Sequence, residues 1–292
     1  MVLIKFSLFP LRNADMSLGI GHYFILVLSV MLIGTAGYLI QDIHSVEPDK
    51  INFPDKPLVQ GKISIRQATT LYIVLTSIGI LLGMYISYYI GYTSYGMLFI
   101  ASAAIPYLYA TSFKNAGALG NFILASLGFV AVCIPGIFDL MPAITPYNQL
   151  QQARIFKVLL LYGGFGFALV YIESMLANLR TYAGDRRVGI RNMTYQLGVN
   201  GTKKMILASS IITFLVLLFC IYTYIDNYKL LSYLIFAVLL PFIYFIIQVA
   251  YLNKEKWLHQ IKILQNILKI VYITGMLSLI FLDYFQIDSY VA

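Results

Sequence analysis

The chain has 292 residues, of which 60% are hydrophobic and 11% are charged, and its formal net charge is +8. A chain this apolar cannot supply the polar surface of a soluble globule, which excludes a soluble enzyme or a soluble nucleic-acid-binding protein. We therefore expect an integral membrane protein.

Apolar runs of about 20 residues, the length that crosses a hydrocarbon core of about 30 Å, recur along the whole chain. No soluble block separates them, so we expect one membrane-embedded domain over residues 1–292 and an all-α bundle of eight spans. The third span is short. The predicted spans lie at about 22–40, 68–91, 95–110, 118–138, 155–177, 205–224, 230–252 and 263–284.

The positive charges fall mainly on one side of these spans. Sorting the 20 Lys and Arg residues by alternating loops places the larger group on the side that holds residues 41–66 and 178–204. By the positive-inside rule this side is cytoplasmic. Lys5 and Arg12, which precede the first span, then fall on the opposite side, against the rule. We therefore expect either that a first helix is missing or shortened, or that residues 2–20 form an interfacial or re-entrant piece.

The first polar cluster follows the first span. Asp42, Ser45 and Asp49 are spaced by three and four residues, which places them on one face if the helix continues through them. Pro48 is expected to disturb the last turn, so that Asp49 lies at or just past the helix end. Glu47 points elsewhere on an ideal helix, but a break at Pro48 could bring it inward.

A second cluster follows the fifth span. Asn178, Thr181 and Asp185 repeat the three-plus-four spacing, and Arg186 and Arg187 follow directly. Carboxylate and amide oxygens that face each other, flanked by basic side chains, could hold Mg²⁺ bridging a diphosphate. Either cluster alone could be a solvated helix end. Together, on one face of an otherwise apolar bundle, they indicate a functional site.

Three segments resemble the UbiA-type intramembrane prenyltransferases. Residues 36–43, Ala-Gly-Tyr-Leu-Ile-Gln-Asp-Ile, with a later Lys-Pro-Leu-Val at 56–59, resemble the family's first aspartate signature and its lysine-containing loop. Residues 183–191, Ala-Gly-Asp-Arg-Arg-Val-Gly-Ile-Arg, resemble the second signature. Residues 109–114, Tyr-Ala-Thr-Ser-Phe-Lys, are similar to a Tyr-Ser-x-x-Leu-Lys segment between them.

The resemblance implies a bundle that usually has nine spans and binds a prenyl diphosphate through Mg²⁺. It implies catalytic roles for Asp42, Asp49 and Asp185, with Asn178 as a further metal ligand. Substrate-binding roles are implied for Gln41, Ser45, Lys56, Lys114, Asn178, Thr181, Arg186 and Arg187.

Four positions depart from the family pattern. Gln41 stands where the family has asparagine, and Ser45, Asn178 and Thr181 stand where it has aspartates. The remaining ligands carry less negative charge, so the affinity for Mg²⁺ should fall.

We therefore expect a prenyltransferase that moves an isoprenyl group from a polyprenyl diphosphate to a quinone precursor, a lipid or a related hydrophobic acceptor. The alternatives are a catalytically impaired prenyl-lipid-binding protein and a terpene cyclase of the same fold. We expect a multi-pass protein of a bacterial plasma membrane with the site facing the cytoplasm. We expect the lipid bilayer and no nucleic acid as partners.

Overall fold

The computed structural model describes residues 1–11, 13–225, 227–252 and 257–284. Every regular element within these residues is helical. Seven helical stretches are long and apolar enough to cross a membrane, which confirms the predicted all-α membrane bundle. The helices are α1 (Ile20–His44), α2 (Val46–Asn52), α3 (Ile65–Tyr89), α4 (Gly96–Thr111), α5 (Ala118–Ala143), α6 (Gln149–Arg180), α7 (Tyr182–Arg187), α8 (Met193–Tyr224), α9 (Tyr228–Ala250) and α10 (Trp257–Tyr284).

The third predicted span corresponds to α4, which has only 16 residues. At a rise of 1.5 Å per residue it is about 24 Å long, shorter than a typical hydrocarbon core of about 30 Å. This is why α4 is not among the seven long apolar stretches. Two other spans contain π-helical turns, at Gly136–Leu140 within α5 and at Ile235–Leu239 within α9.

Local signals set the ends of α3. Ser64 precedes the helix and its hydroxyl accepts a hydrogen bond from the Gln67 backbone N–H, while the Gln67 side chain accepts one from the Ser64 N–H. This reciprocal capping satisfies two backbone donors at the start of the helix. Gly91, with φ of 79°, lies just beyond the other end, where a left-handed residue stops a helix.

The helices pack as two connected groups. Helix α1 packs against α3 and α4, and α6 packs against α5, α8 and α10. Small residues allow close approach: Ser29 of α1 donates a hydrogen bond to the backbone oxygen of Gly79 of α3 at 2.7 Å. Helices α3 and α8 have the smallest buried share, 17% of their most apolar windows, so they present the most surface to lipid.

The N-terminal segment, residues 1–11 and 13–19, packs into the end of the bundle opposite the polar clusters. Its π-helical turn Ile4–Leu8 carries Lys5, whose Nζ lies 2.7 Å from Asp139 Oδ2. Asp139 is fully buried within α5. This buried partner explains how Lys5 can lie against the positive-inside rule. Arg12 lies outside the described residues.

Candidate functional site

The first cluster lies where α1 gives way to α2. Helix α1 ends at His44, and Ser45, with φ of −103° and ψ of 7°, separates the two helices. Pro48 falls in the first turn of α2, where proline fits because the backbone N–H groups there have no intrahelical partner. The chain therefore does not run on as one helix. Asp49 lies within α2, not past the end of a helix, and is only 2% exposed.

Lys56 joins the two carboxylates of this cluster. Its Nζ lies 2.6 Å from Asp42 Oδ1 and 2.8 Å from Asp49 Oδ2. Burial raises the pKa of Asp49, and the hydrogen bond from Lys56 offsets this only in part. Burial lowers the pKa of Lys56, but its hydrogen bonds to Asp42 and Asp49 outweigh that effect and raise it above its ordinary value. Lys56 therefore remains an ammonium ion at neutral pH.

The carboxylate of Asp185 is the centre of the second cluster. Asp185 lies in α7 and is 1% exposed. Its Oδ1 is 3.0 Å from Lys114 Nζ, and its Oδ2 accepts hydrogen bonds from Thr181 Oγ1 at 2.6 Å and from Asn192 Nδ2 at 2.8 Å. Three donors thus replace the water lost by this buried charge.

Asn178 is held by a neighbouring amide. It is buried in α6, and its Nδ2 donates to Asn121 Oδ1 at 2.8 Å. Asn121 in turn donates to Met193 Sδ at 3.2 Å. This hydrogen bond to α5 therefore fixes the orientation of the Asn178 amide.

The two clusters form one site. Lys114 Nζ lies 3.4 Å from Ser45 Oγ as well as 3.0 Å from Asp185 Oδ1. The Asn52 amide accepts a hydrogen bond from the Gly184 N–H at 2.9 Å and donates to the Thr181 carbonyl at 3.0 Å. A Cβ on Gly184 would lie 2.2 Å from the Pro48 carbonyl oxygen, so glycine is what allows α2 and α7 to touch. The expectation that both clusters share one face of the bundle agrees with this arrangement.

A cavity of about 150 Å³ opens between the clusters. It is lined by most of the predicted site residues, together with two aromatic and two alanine side chains. The lining residues are Gln41, Asp42, Ser45, Asp49, Phe53, Lys56, Tyr109, Ala110, Lys114, Ala177, Asn178 and Thr181. Asp185 lies behind this lining, in contact with Lys114 and Thr181.

Some basic and acidic side chains are not brought to the cavity. Arg186 is exposed and its Nη1 donates to the Tyr182 hydroxyl at 3.2 Å, and Arg187 is exposed as well. Their substrate-binding roles remain predictions. The expectation that Glu47 could turn inward is wrong, because its side chain is 70% exposed and pairs with Lys50 at 2.7 Å.

Three asparagines of the site lay outside the predicted set. Asn52 and Asn121 fall next to motif segments, but an asparagine there gives no distinct signal. Asn192 precedes the long apolar helix α8, a position typical of a helix N-cap. Its Oδ1 does accept a hydrogen bond from the Tyr195 N–H at 2.9 Å. The same amide supports Asp185 through its nitrogen, which no local pattern reveals.

The donor set suits a cation that arrives with a phosphate. Among the described residues no three acidic, His or Cys side chains gather closely enough to hold a metal by themselves. Oxygens of Asp42 and Asp49 nevertheless converge on one cation, the Lys56 ammonium. Mg²⁺ is usually bound by one or two carboxylates with substrate phosphates and water. These residues fit that mode.

Comparison with known proteins identifies similar chains. The model of the UbiA prenyltransferase family matches residues 13–268. The chain is 28% identical over 180 residues to a digeranylgeranylglyceryl phosphate synthase from Sulfolobus acidocaldarius, covering 62% of this chain and 59% of that one. It is 26% identical over 258 residues to the synthase of the same name from Methanocaldococcus jannaschii, covering 86% and 82%. The match thus spans about three fifths of the length of the first relative.

Two solved structures have a similar fold. The apo structure of a UbiA homologue from Aeropyrum pernix aligns with a TM-score of 0.65 at 17% identity, covering 93% of this chain and 92% of that one. A UbiA homologue from Archaeoglobus fulgidus bound to GPP and Mg²⁺ aligns with a TM-score of 0.57 at 16% identity, covering 95% and 96%. At these identities the likeness concerns the fold.

Proposed function

Because the chain belongs to the UbiA prenyltransferase family, we propose that it transfers a prenyl group from a polyprenyl diphosphate to a lipid acceptor within the membrane. One observation carries this proposal: two lysines pair with three carboxylates from two distant segments, of which Asp42 and Asp49 line one cavity and Asp185 lies directly behind its wall. Such a charge arrangement suits a metal-bound diphosphate. Apolar helices surround it, where a prenyl chain can lie.

The acceptor proposed here is a glyceryl phosphate lipid. The two relatives are named for making digeranylgeranylglyceryl phosphate, which favours such a lipid over a quinone precursor. The matching donor is a geranylgeranyl diphosphate.

Different polar residues would bind the metal ion and the phosphate oxygens of the substrate. Asp42, Asp49 and Asp185, with the amide oxygen of Asn178, would hold Mg²⁺, which when bound neutralises the leaving diphosphate. Lys56 and Lys114 line the same cavity and pair with phosphate oxygens when the substrate enters. Ser45 and Thr181 offer neutral oxygens. Because the chain's own acidic groups are few, much of the metal's coordination would come from the substrate.

We further propose that the site faces the cytoplasm. By loop parity in the sequence, 14 of the 20 Lys and Arg residues fall on the same side of the membrane as residues 41–66 and 178–204, which supply most of the cavity lining. The relatives named above are archaeal, and the bacterial membrane expected from the sequence stays a prediction.

The test is an assay of purified protein with radiolabelled geranylgeranyl diphosphate, geranylgeranylglyceryl phosphate and Mg²⁺. We expect a diprenylated lipid product and diphosphate release that both vanish with EDTA and in Asp42→Ala and Asp185→Ala. Glu47→Ala, an exposed carboxylate on the same short helix as Asp49, serves as the control and should keep full activity.

Two results would contradict the proposal. Donor binding with no turnover for any acceptor would indicate a prenyl-lipid-binding protein. Mg²⁺-dependent release of a cyclic hydrocarbon without acceptor would indicate a cyclase.

A further inference from the structure

Two polar side chains lie one helical turn deeper in the membrane than the cavity. Tyr38 of α1 precedes the cavity residue Asp42 by four positions, and Glu173 of α6 precedes the cavity residue Ala177 by four. Residues four apart lie on the same face of a helix, about 6 Å apart along its axis. Both side chains are therefore placed below the polar cavity, on the two helices that lead into the clusters.

Helix α10 brings a cation to the same depth. Helices α6 and α10 run antiparallel: Arg180 Nη1 donates to Gln265 Oε1 at 3.1 Å near one end, and Tyr162 and Ser278 hydroxyls lie 2.6 Å apart near the other. Between these two contacts, Lys269 falls at the level of Glu173. The Glu173 carboxylate interacts electrostatically with the Lys269 ammonium and with the Tyr38 hydroxyl.

No structural partner explains the presence of the Glu173 carboxyl group within a membrane span. Among the described residues it makes no hydrogen bond, and Lys269 is beyond ion-pair distance. A carboxyl group in a membrane span costs several kcal/mol unless it is paired, and such groups usually serve a function. By contrast, the buried pair of Lys5 and Asp139 at the other end of the bundle is fully hydrogen-bonded.

Tyr38 and Lys269, the two side chains at the level of Glu173, lie at the lipid-facing surface of the bundle. Helix α1 packs against α3 and α4, whereas α10 packs against α6 and α9. Tyr38 is 78% exposed, Lys269 is exposed and Glu173 is half-buried. A lipid can therefore reach Glu173 and Lys269 from the side while the donor's diphosphate occupies the polar cavity above.

We propose that Glu173 and Lys269 form the binding site for the polar group of the acceptor lipid. This inference rests on the proposed function. A carboxylate beside an ammonium suits a ligand that carries both a hydroxyl and an anionic group, as a prenylglyceryl phosphate does. Glu173 accepts a hydrogen bond from the attacking hydroxyl, and Lys269 pairs with the phosphate.

Glu173 is also placed to accept the proton that the acceptor hydroxyl loses in the reaction. The bond between the allylic carbon and the diphosphate oxygen breaks, and its electron pair leaves with the diphosphate. The acceptor oxygen bonds to that carbon, and its proton passes to the Glu173 carboxylate. The donor's reacting carbon extends from the diphosphate into the bundle, towards the depth of Glu173.

The first experiment separates donor ionisation from transfer. In Glu173→Gln, which keeps the shape of the side chain, we expect transfer to geranylgeranylglyceryl phosphate to fall about 100-fold, as for loss of a positioned base. Mg²⁺-dependent release of diphosphate without acceptor should persist, with prenyl alcohol as the product. Glu47→Gln is the matched control. Unchanged transfer in Glu173→Gln would overturn the assignment.

The second experiment tests Lys269 with paired acceptors. In Lys269→Gln we expect KM for geranylgeranylglyceryl phosphate to rise about tenfold, the cost of roughly one charge-assisted contact, and KM for geranylgeranylglycerol to stay the same. An equal change for both acceptors would assign Lys269 to helix packing and overturn its role. If the wild-type protein releases no diphosphate from any donor, the proposed function itself fails. If it transfers normally and the variants do too, only this inference fails.

Discussion

At the residue scale, the site depends on side chains that each serve two neighbours. Lys56 binds two carboxylates, and Lys114 contacts Asp185 and Ser45. Asn192 caps α8 with its oxygen and supports Asp185 with its nitrogen. Helical spacing identified the aspartates and the family resemblance identified the lysines, but neither identified this asparagine. A hydrogen bond made across the fold leaves no trace in local sequence.

Two substitutions of Asn192 separate its role as the N-cap of α8 from its hydrogen bond to Asp185. In Asn192→Ala we expect a loss of about 2 to 3 kcal/mol in the free energy of unfolding, because a helix cap and a hydrogen bond to a buried charge are both lost. Asn192→Asp keeps an oxygen for the cap but places a second carboxylate beside Asp185. It should therefore fold with an intact α8 and still lose diphosphate release. Thermal unfolding in detergent and the release assay measure the two effects. Full activity in Asn192→Asp would show that the nitrogen does not matter.

Ser45 is the position where a charge can be restored. Its hydroxyl lies 3.4 Å from Lys114 Nζ and lines the cavity. In Ser45→Asp we expect the Mg²⁺ concentration for half-maximal diphosphate release to fall several-fold, because a third carboxylate joins Asp42 and Asp49 at the cavity wall. Ser45→Asn, of similar size and without charge, is the control. An identical Mg²⁺ dependence in both variants would contradict this role for charge at position 45.

At the scale of secondary-structure elements, two short helices that follow long membrane spans carry acidic residues of the site. Helix α2 follows α1 and carries Asp49, and α7 follows α6 and carries Asp185. The sequence predicted the face that these residues share and a disturbance at Pro48, whereas in the structure the breaks lie at Ser45 and Thr181. The break at Ser45 and the break at Thr181 redirect the chain. Their positions depend on the contact between α2 and α7, which lie far apart in sequence.

Gly184 permits that contact and gives a direct test of it. In Gly184→Ala the added methyl group would meet the Pro48 carbonyl oxygen and the Asn52 amide, so α2 and α7 must move apart. We expect at least a tenfold loss of diphosphate release and destabilisation of about 1 to 3 kcal/mol, typical of overpacking. Gly164→Ala in α6 is the control, because nothing lies within 4 Å of its added Cβ. Normal activity in Gly184→Ala would mean that the two short helices need not touch.

At the scale of the whole molecule, polar groups mark both ends of an apolar bundle, with different consequences. At one end, lysines and carboxylates surround a cavity, so they can exchange partners with a ligand. At the other, Lys5 and Asp139 are buried and fully paired, which fixes the N-terminal segment against α5. The charge rule alone could not distinguish these cases, because it counts charges and not their partners.

Removal of Lys5 tests this anchoring. In Lys5→Met the fully buried Asp139 loses its counter-ion, and we expect the free energy of unfolding to fall by about 3 to 5 kcal/mol. The double variant Lys5→Met with Asp139→Asn should recover part of that loss, since no unpaired charge remains. Thermal unfolding in detergent measures both. Equal stability of the single and double variants would contradict an electrostatic anchor.

The sequence by itself determined the membrane environment, the helical architecture, the family resemblance and most of the residues around the cavity. The environment and the architecture follow from composition and from the length of apolar runs, and the cavity residues from helical spacing and from the family resemblance, all of which are read from local sequence. Only the tertiary structure decided that Lys56 joins Asp42 to Asp49, that Asn192 supports Asp185, and that Glu173 and Lys269 lie at the same depth below the cavity. Each of these depends on the packing of helices that are distant in the chain, and neither periodicity nor charge counting specifies such packing.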